Sequence, residues 1–467
     1  MNLVLVSPLT SKSLLGADFY FRMPTLGLLR VAAATPPEWT VSILDEKVEP
    51  IDCARPVDLV GITGMTPAIG RAYEIADAFR ARGVPVVMGG IHVSMLPEEA
   101  LKHCDAVLIG EAEGLWPRLL ADLRQGRLRR IYRHLGRHQG RHQGRHEGRH
   151  EGFPPLTGLG SPDWSLYDGK RYLPFHCVES SRGCPHGCEF CSVTEYFGGF
   201  YRTRPPAEVE EEIRGLRPFE GRFTLKNVVF FVDDNIAGRR THARELLTRL
   251  VPYRLKWLGQ ASTAIARDDE LLHLCRQSGC MGLLIGFETL SREKLRAVGK
   301  GFNSPEAYLD VIRKIHDHGI GISGAFVFGL DGDDEGVFDR TYEFVQKAKL
   351  ESPYFSILTP YPGTRLYARL SGDGRIIDHD WSNYNTNTVV YRPQGMTARQ
   401  LHDGYFQLQN AVHTVPAIVR RFWGTTSRAN FWLPMNYGFR RSVRQLTARA
   451  GALRPAVPGA TGAAQSP

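Results

Sequence analysis

Three cysteines stand within eight positions, Cys184, Cys188 and Cys191, in the stretch SRGCPHGCEFCSV. Thiolates are ligands for zinc or for iron–sulfur clusters, and a closed structural zinc site takes four nitrogen or sulfur donors. His186 could supply a fourth, but it lies between two of the cysteines in sequence and is poorly placed to close a tetrahedron with them. A [4Fe–4S] cube held by three thiolates instead leaves one iron with an open position for a substrate or cofactor. The CxxxCxxC array, in a loop loosened by Gly183, Pro185 and Gly187, therefore reads as a cluster with one reactive iron. Cys177, Cys275 and Cys280 sit in apolar contexts and read as inert buried thiols. The eight cysteines are too widely scattered for a secreted disulfide framework, and their pattern points to the reducing cytoplasm.

The elements that must position this loop form an α/β chain. In residues 1–130 the runs NLVLVS, TVSILD, DLVGITG, VPVVMGG and DAVLIGE are short strands ending in Ser, Asp or Gly. AIGRAYEIADAFRARG between two of them has helical spacing and a glycine stop. The alternation predicts a doubly wound, Rossmann-like parallel sheet whose ligands sit at the carboxyl ends of its strands. Residues 131–165 form a linker around the repeat GRHQGRHQGRHEGRHEG, which fixes no coordination geometry and reads as solvated chain. Residues 166–370 alternate again, with strands in YLPFHCVES, KNVVFFVDDN, LKWLGQAST, MGLLIGFET, ISGAFVFGL and YFSILTPY. Six βα units predict a partial (β/α)6 TIM-type barrel, in which chemistry sits at the C-terminal strand ends. Residues 371–450 carry weaker, mainly helical signals, and 451–467 read as disordered.

The cysteine array followed by six βα units resembles the radical SAM superfamily. The resemblance implies that Cys184, Cys188 and Cys191 ligate a [4Fe–4S] cluster whose open iron chelates S-adenosylmethionine. One electron then yields methionine and a 5′-deoxyadenosyl radical. It also implies that Phe190 borders the adenine, Glu288 meets the ribose, Asp233, Asp234 and Asn235 face the methionine moiety, and Ser262 points at the same cofactor. A competing reading makes Asp233 and Asp234 N-caps of the helix beginning near Thr241. The first domain resembles the cobalamin-binding domain of B12-dependent radical SAM enzymes. By position, Thr63, Gly64, Met65, Thr66, Gly89, Gly90, His92, Gly110 and Glu111 would line the cobalamin. The DxHxxG element that supplies an axial histidine elsewhere is absent, because SPLTSKSLLGADFYFRMP contains no histidine. His92 is the alternative ligand. TPYPGTRLYARLSGDGRIIDHDWSNYN and VVYRPQGMTARQLHDGYF look like the C-terminal extension of the group that includes hopanoid methylases, so the resemblance spans about residues 1–425.

What it implies is methylation of an unactivated carbon in a small-molecule or lipid-like substrate, with flavodoxin or ferredoxin as electron donor. The same architecture also serves cyclisation or rearrangement without methyl transfer. A non-catalytic iron–sulfur redox sensor would leave the strand-end acids without a task. A methylthiotransferase acting on RNA would want a further amino-terminal cysteine triad, where this chain has only Cys53 and Cys104. Charge speaks against nucleic acid as well. Of the net +9, residues 404–467 carry +8 and residues 131–152 carry +3, leaving the body at −2, without the basic footprint of a phosphate reader. MNLVLVSPLT reads as a strand rather than a leader, and no apolar run is long enough to span a bilayer. Arg420, Arg421, Arg440, Arg441 and Arg444 are interleaved with Phe422, Trp423, Phe431, Trp432 and Tyr437. That mixture fits peripheral contact with anionic lipid, or arginine stems packed over aromatics in a helical cap.

Overall fold

Along the first strand, Asn2–Ser7 (β1), alternate residues feed two different cores: Leu3 and Leu5 one, Val4 and Val6 the other. This is the signature of a sheet covered on both faces, and the near-continuous apolar run follows from it. The computed structural model describes residues 1–9, 22–134, 153–173, 175–216, 228–423 and 429–450. Thr40–Asp45 (β2), Leu59–Thr63 (β3), Val86–Gly89 (β4), Ala106–Ile109 (β5) and Ile131–Arg133 (β6) complete an all-parallel sheet of order β2-β1-β3-β4-β5-β6. The strand order reverses beside β1, so a crevice opens above the ends of β1 and β3.

Two domain boundaries move. β6 belongs to the first sheet, although residues 131–165 were expected to be linker. Tyr167 and Tyr172, just inside the expected barrel, are buried in the first domain's core, where the Tyr172 hydroxyl donates to Asp45 at 2.8 Å. The histidine repeat, the 451–467 tail and most of the loop after β1 lie outside the described residues.

All six expected barrel strands are present. His176–Val178 (β7) is followed by a small antiparallel pair, Ser181–Arg182 (β8) with Arg202–Thr203 (β9). Val228–Phe231 (β10), Lys256–Ala261 (β11), Cys280–Glu288 (β12), Gly321–Phe328 (β13) and Ser352–Ile357 (β14) then run parallel in the order β14-β13-β12-β11-β10-β7. β7 and β14 are the two edges, so the barrel is partial. Outward residues such as Ile285, Phe326 and Phe355 join the surrounding helices in one core. The alternating set Leu284, Gly286, Ser323, Ala325, Tyr354 and Ser356 faces the lumen and stays partly exposed. Most of these side chains are small.

The C-terminal extension is mainly helical, with helices Ala398–Val412, Val415–Phe422 and Ala429–Ala450. Trp432 is buried beneath the barrel, where a Cβ on either Gly282 or Gly321 would collide with its indole. Arg421 is buried too, donating to the Val412 carbonyl at 2.7 Å and to Asn436 at 2.8 Å. Those two residues follow the cap reading, while Trp423 (78% exposed) and Tyr437 (62%) remain at the surface. No helix among the described residues is long and apolar enough to cross a membrane.

Candidate functional site

The cysteine loop leaves β8 through Gly183, at φ +86°, where a Cβ would lie 2.0 Å from the Phe200 carbonyl oxygen. Only glycine fits there. Two aspartates at the end of β10 hold the loop's entry, and strand alternation sends them to different tasks. Asp233 is fully buried and accepts from the Ser180 amide at 3.0 Å, the Ser180 hydroxyl at 2.6 Å and the Ser181 hydroxyl. Asp234 accepts from the Gly183 amide at 3.0 Å, one residue before Cys184. Neither caps a helix. The helix Arg240–Leu250 has Arg239 at its N-cap without a side-chain cap, which removes the capping alternative. Asn235 shapes the following turn, its side-chain oxygen accepting from the Ala237 amide at 3.3 Å. Of the expected trio, Asp234 alone lies on the lumen side.

Burial pushes the Asp233 carboxyl up to about 6 from an ordinary value near 3.8. Raised in the folded state, it adds stability that is fully present below pH 3.8 and lost as pH rises through 6. An Asp233→Asn variant of the apoprotein should therefore gain stability relative to the parent by about 2–3 kcal/mol between pH 4 and pH 7. Urea midpoints at the two pH values measure this, and a pH-independent difference between the proteins would refute it.

Burial likewise raises the Cys184 thiol to about 11 and Cys188 to about 12, so these sites favour protons until a metal displaces them. Lys300, whose ammonium is paired with Glu288, acts on all three thiols in the opposite direction. Burial works against that ammonium, yet the Glu288 carboxylate outweighs it and holds Lys300 above its ordinary value. Glu288 is buried in a left-handed conformation, φ +64°, at the end of β12. Gly286 makes room for the pair, since a Cβ there would lie 2.2 Å from the Glu288 carboxylate and 2.5 Å from the Lys300 ammonium. The sequence reading missed Lys300, twelve residues beyond its partner and without any motif. His186 stacks on Phe302 with ring centroids 3.7 Å apart, and burial lowers its pKa to about 4. Phe190 packs with Val298, Leu330 and Leu366 at the barrel top, and Ser262 is half-buried just beyond the end of β11. Among the described residues no three His, Cys, Asp or Glu side chains are grouped to share a single metal ion. Three thiols bound to three separate irons of a cube have no need to be.

The second half of the site is a cavity of about 290 Å³ between the domains. Thr63, Gly89, Gly90, Gly110 and Glu111 line it from the first domain, and Glu179, Arg182, Tyr196, Phe197 and Val232 from the barrel. Gly90 has φ +99° and a Cβ there would meet the Gly64 carbonyl oxygen at 2.9 Å, so the strand end stays bare. Its volume suits a nucleotide-sized group at the strand ends. Four residues expected along this cavity are elsewhere. Gly64 is packed under Ile69 and Val93, and Met65 is 59% exposed. His92 is wholly buried, within 3.2 Å of both the Thr66 hydroxyl and the Glu99 carboxylate and edge-on to Trp381. Its ring nitrogens and Thr66 are thereby occupied, and no described histidine lines the cavity.

Residues 178–345 match the family model described as the radical SAM superfamily, and residues 12–120 match the B12 binding domain. The chain is 31% identical over 452 residues to bacteriochlorophyllide d C-12(1)-methyltransferase of Chlorobaculum tepidum, covering 95% of this chain and 94% of that one. It is 27% identical to hopanoid C-2 methylase of Rhodopseudomonas palustris, covering 80% of this chain and 69% of that one. The fold is similar to that of the radical S-adenosylmethionine methyltransferase TsrM from Kitasatospora setae, solved with cobalamin and a [4Fe–4S] cluster bound. The TM-score is 0.67 at 16% identity, over 95% of this chain and 99% of that chain.

Proposed function

Because the chain belongs to the radical SAM enzymes that carry a B12-binding domain, we propose that it methylates a substituent carbon of a flat tetrapyrrole related to bacteriochlorophyllide. The observation that carries this reading is the shared space: the bare strand ends at Gly89, Gly90 and Gly110 face Arg182, Tyr196 and Phe197 across one cavity, beside the cysteine loop. The near-full-length relative supplies the substrate class, and the lumen face carries the small, partly exposed residues Gly286, Ser323, Ala325 and Ser356. Loaded with its [4Fe–4S] cluster, S-adenosylmethionine and cobalamin, the site supplies reductive cleavage and a methyl carrier, the hard steps at a carbon without an acidic proton.

The chain's own residues bind and orient. Cys184, Cys188 and Cys191 hold the cluster, and Asp233 and Asp234 fix the entry to their loop. Glu288 offers a carboxylate to a ribose, with Lys300 balancing its charge, while Phe190 and Ser262 border the nucleoside. Thr63, Gly89, Gly90 and Gly110 would hold the cobalamin tail, and none of the described histidines lines that cavity. Electrons come from a small one-electron carrier such as flavodoxin or ferredoxin.

The test is anaerobic turnover with bacteriochlorophyllide d, followed by mass spectrometry. Methylated product with equal 5′-deoxyadenosine and S-adenosylhomocysteine is expected. Deoxyadenosine with an altered but unmethylated substrate would point to cyclisation or rearrangement instead. Ala325→Phe, filling the lumen, should abolish methylated product while substrate-independent deoxyadenosine formation persists. Methylated product equal to the parent's would place Ala325 outside the substrate's path.

We also propose peripheral contact with anionic lipid. Val415, Val419 and Trp423 recur at one-turn spacing and are exposed, and Leu433 and Tyr437 precede exposed Arg441 and Arg444. Trp423→Glu should lower co-sedimentation with phosphatidylglycerol vesicles several-fold, and sedimentation equal to the parent would end the idea.

A further inference from the structure

Eight charges, six of them buried and Arg182 and Glu113 partly so, join the two domains beside the cavity. Arg30, in the helix Leu26–Ala33, and Glu111 and Glu113, after β5, come from the first domain. Glu179, Arg182, Arg202, Arg204 and Glu212 come from the barrel. Four carboxylates meet four guanidiniums, so the set is neutral. Arg30 reaches Glu179 and Glu212, each at 2.9 Å, and Arg204 meets Glu212 at 2.9 Å. Glu111 pairs with Arg202. Arg182 joins the two sides: its Nε donates to Glu179 at 2.8 Å, and its terminal nitrogens meet Glu111 at 3.3 Å and Glu113 at short range.

Arg182 lines the interdomain cavity and stands two residues before Cys184. The next residue, Gly183, is clamped by Asp234 and the Phe200 backbone, so a displaced Arg182 strains the loop rather than swinging freely. Resting on the B12 radical SAM reading, we propose that Arg182 is a positioning residue that couples occupancy of the cavity to the geometry of the cysteine loop. A ligand seated against Glu111 and Glu113 sets the guanidinium, and the guanidinium sets the approach to Cys184. By linkage the coupling is reciprocal: a loaded cluster changes cobalamin affinity by the factor by which cobalamin changes the cluster's.

The experiment titrates hydroxocobalamin into full-length protein with and without a reconstituted cluster, and compares the two dissociation constants. A ratio of about 5-fold or more is expected for the parent, together with a change in the reduced cluster's EPR line shape when cobalamin is added. Arg182→Met should bring the ratio to about one and abolish the EPR change. Glu113→Gln, which trims a single contact and conserves shape, should lower the ratio, and it decides the matter if Arg182→Met does not fold. A ratio of one in the parent, or one unchanged in Glu113→Gln, overturns the coupling while leaving the enzyme assignment intact. Absence of cobalamin binding by the parent would overturn both.

Discussion

Cys188→Ala yields a folded protein that holds no [4Fe–4S] cluster after anaerobic reconstitution and forms no 5′-deoxyadenosine above background. The expected loss exceeds about 100-fold, because a removed ligand costs more than the 10–100-fold typical of a removed supporting residue. The fold survives because the backbone, rather than the thiol, shapes the loop. The Glu189 amide donates to the Val298 carbonyl at 3.1 Å, and the Leu366 amide to the Glu189 carbonyl at 3.1 Å. Gly183 sets the entry, and none of these contacts involves the sulfur. Iron and sulfide analysis, EPR of the reduced protein and product quantification read the loss, while circular dichroism checks the fold. A variant that keeps its cluster and its deoxyadenosine would remove Cys188 from the ligand set.

Glu212→Leu should be the most destabilising single change in the interdomain network. Its carboxylate serves Arg30 at 2.9 Å and Arg204 at 2.9 Å, and all three side chains are buried. Removing one member of a buried ionic set leaves uncompensated charge and costs about 3–5 kcal/mol. Denaturant unfolding should show the loss. Glu210→Leu is the control: its pairs with Arg214 and Arg249 lie at the surface, and it should shift the midpoint little. The network also has a pH signature. Burial tends to raise Glu179, but Arg182, Arg30 and Arg204 outweigh it and hold the carboxyl at about 2. Depressed in the folded state, it contributes stability that is present above its ordinary value of 4.5 and lost as pH falls through 2. Equal midpoints for the Glu212→Leu and Glu210→Leu variants would mean that the network adds registry without stability.

The amino-acid sequence by itself determined the local features. Each strand of the barrel and five of six in the first sheet carry their own apolar runs and turn residues, and the CxxxCxxC loop is defined by spacing alone. β6 escaped because the three residues of IYR are too few to establish a period. Only the tertiary structure decided which strand-end residues meet. Asp233 and Asp234 are neighbours in sequence, yet alternation sends one under the loop entry and the other toward the lumen. His92 and Met65 sit at strand ends like their cavity-lining neighbours, but a helix and Trp381 enclose the first while the second is left to solvent. Lys300 became the partner of Glu288, and Arg30 that of Glu212 across 182 positions. A salt bridge between distant residues leaves no periodic trace, because neither residue's local conformation depends on the other. Its strength comes from the low-dielectric surroundings that folding creates around the pair.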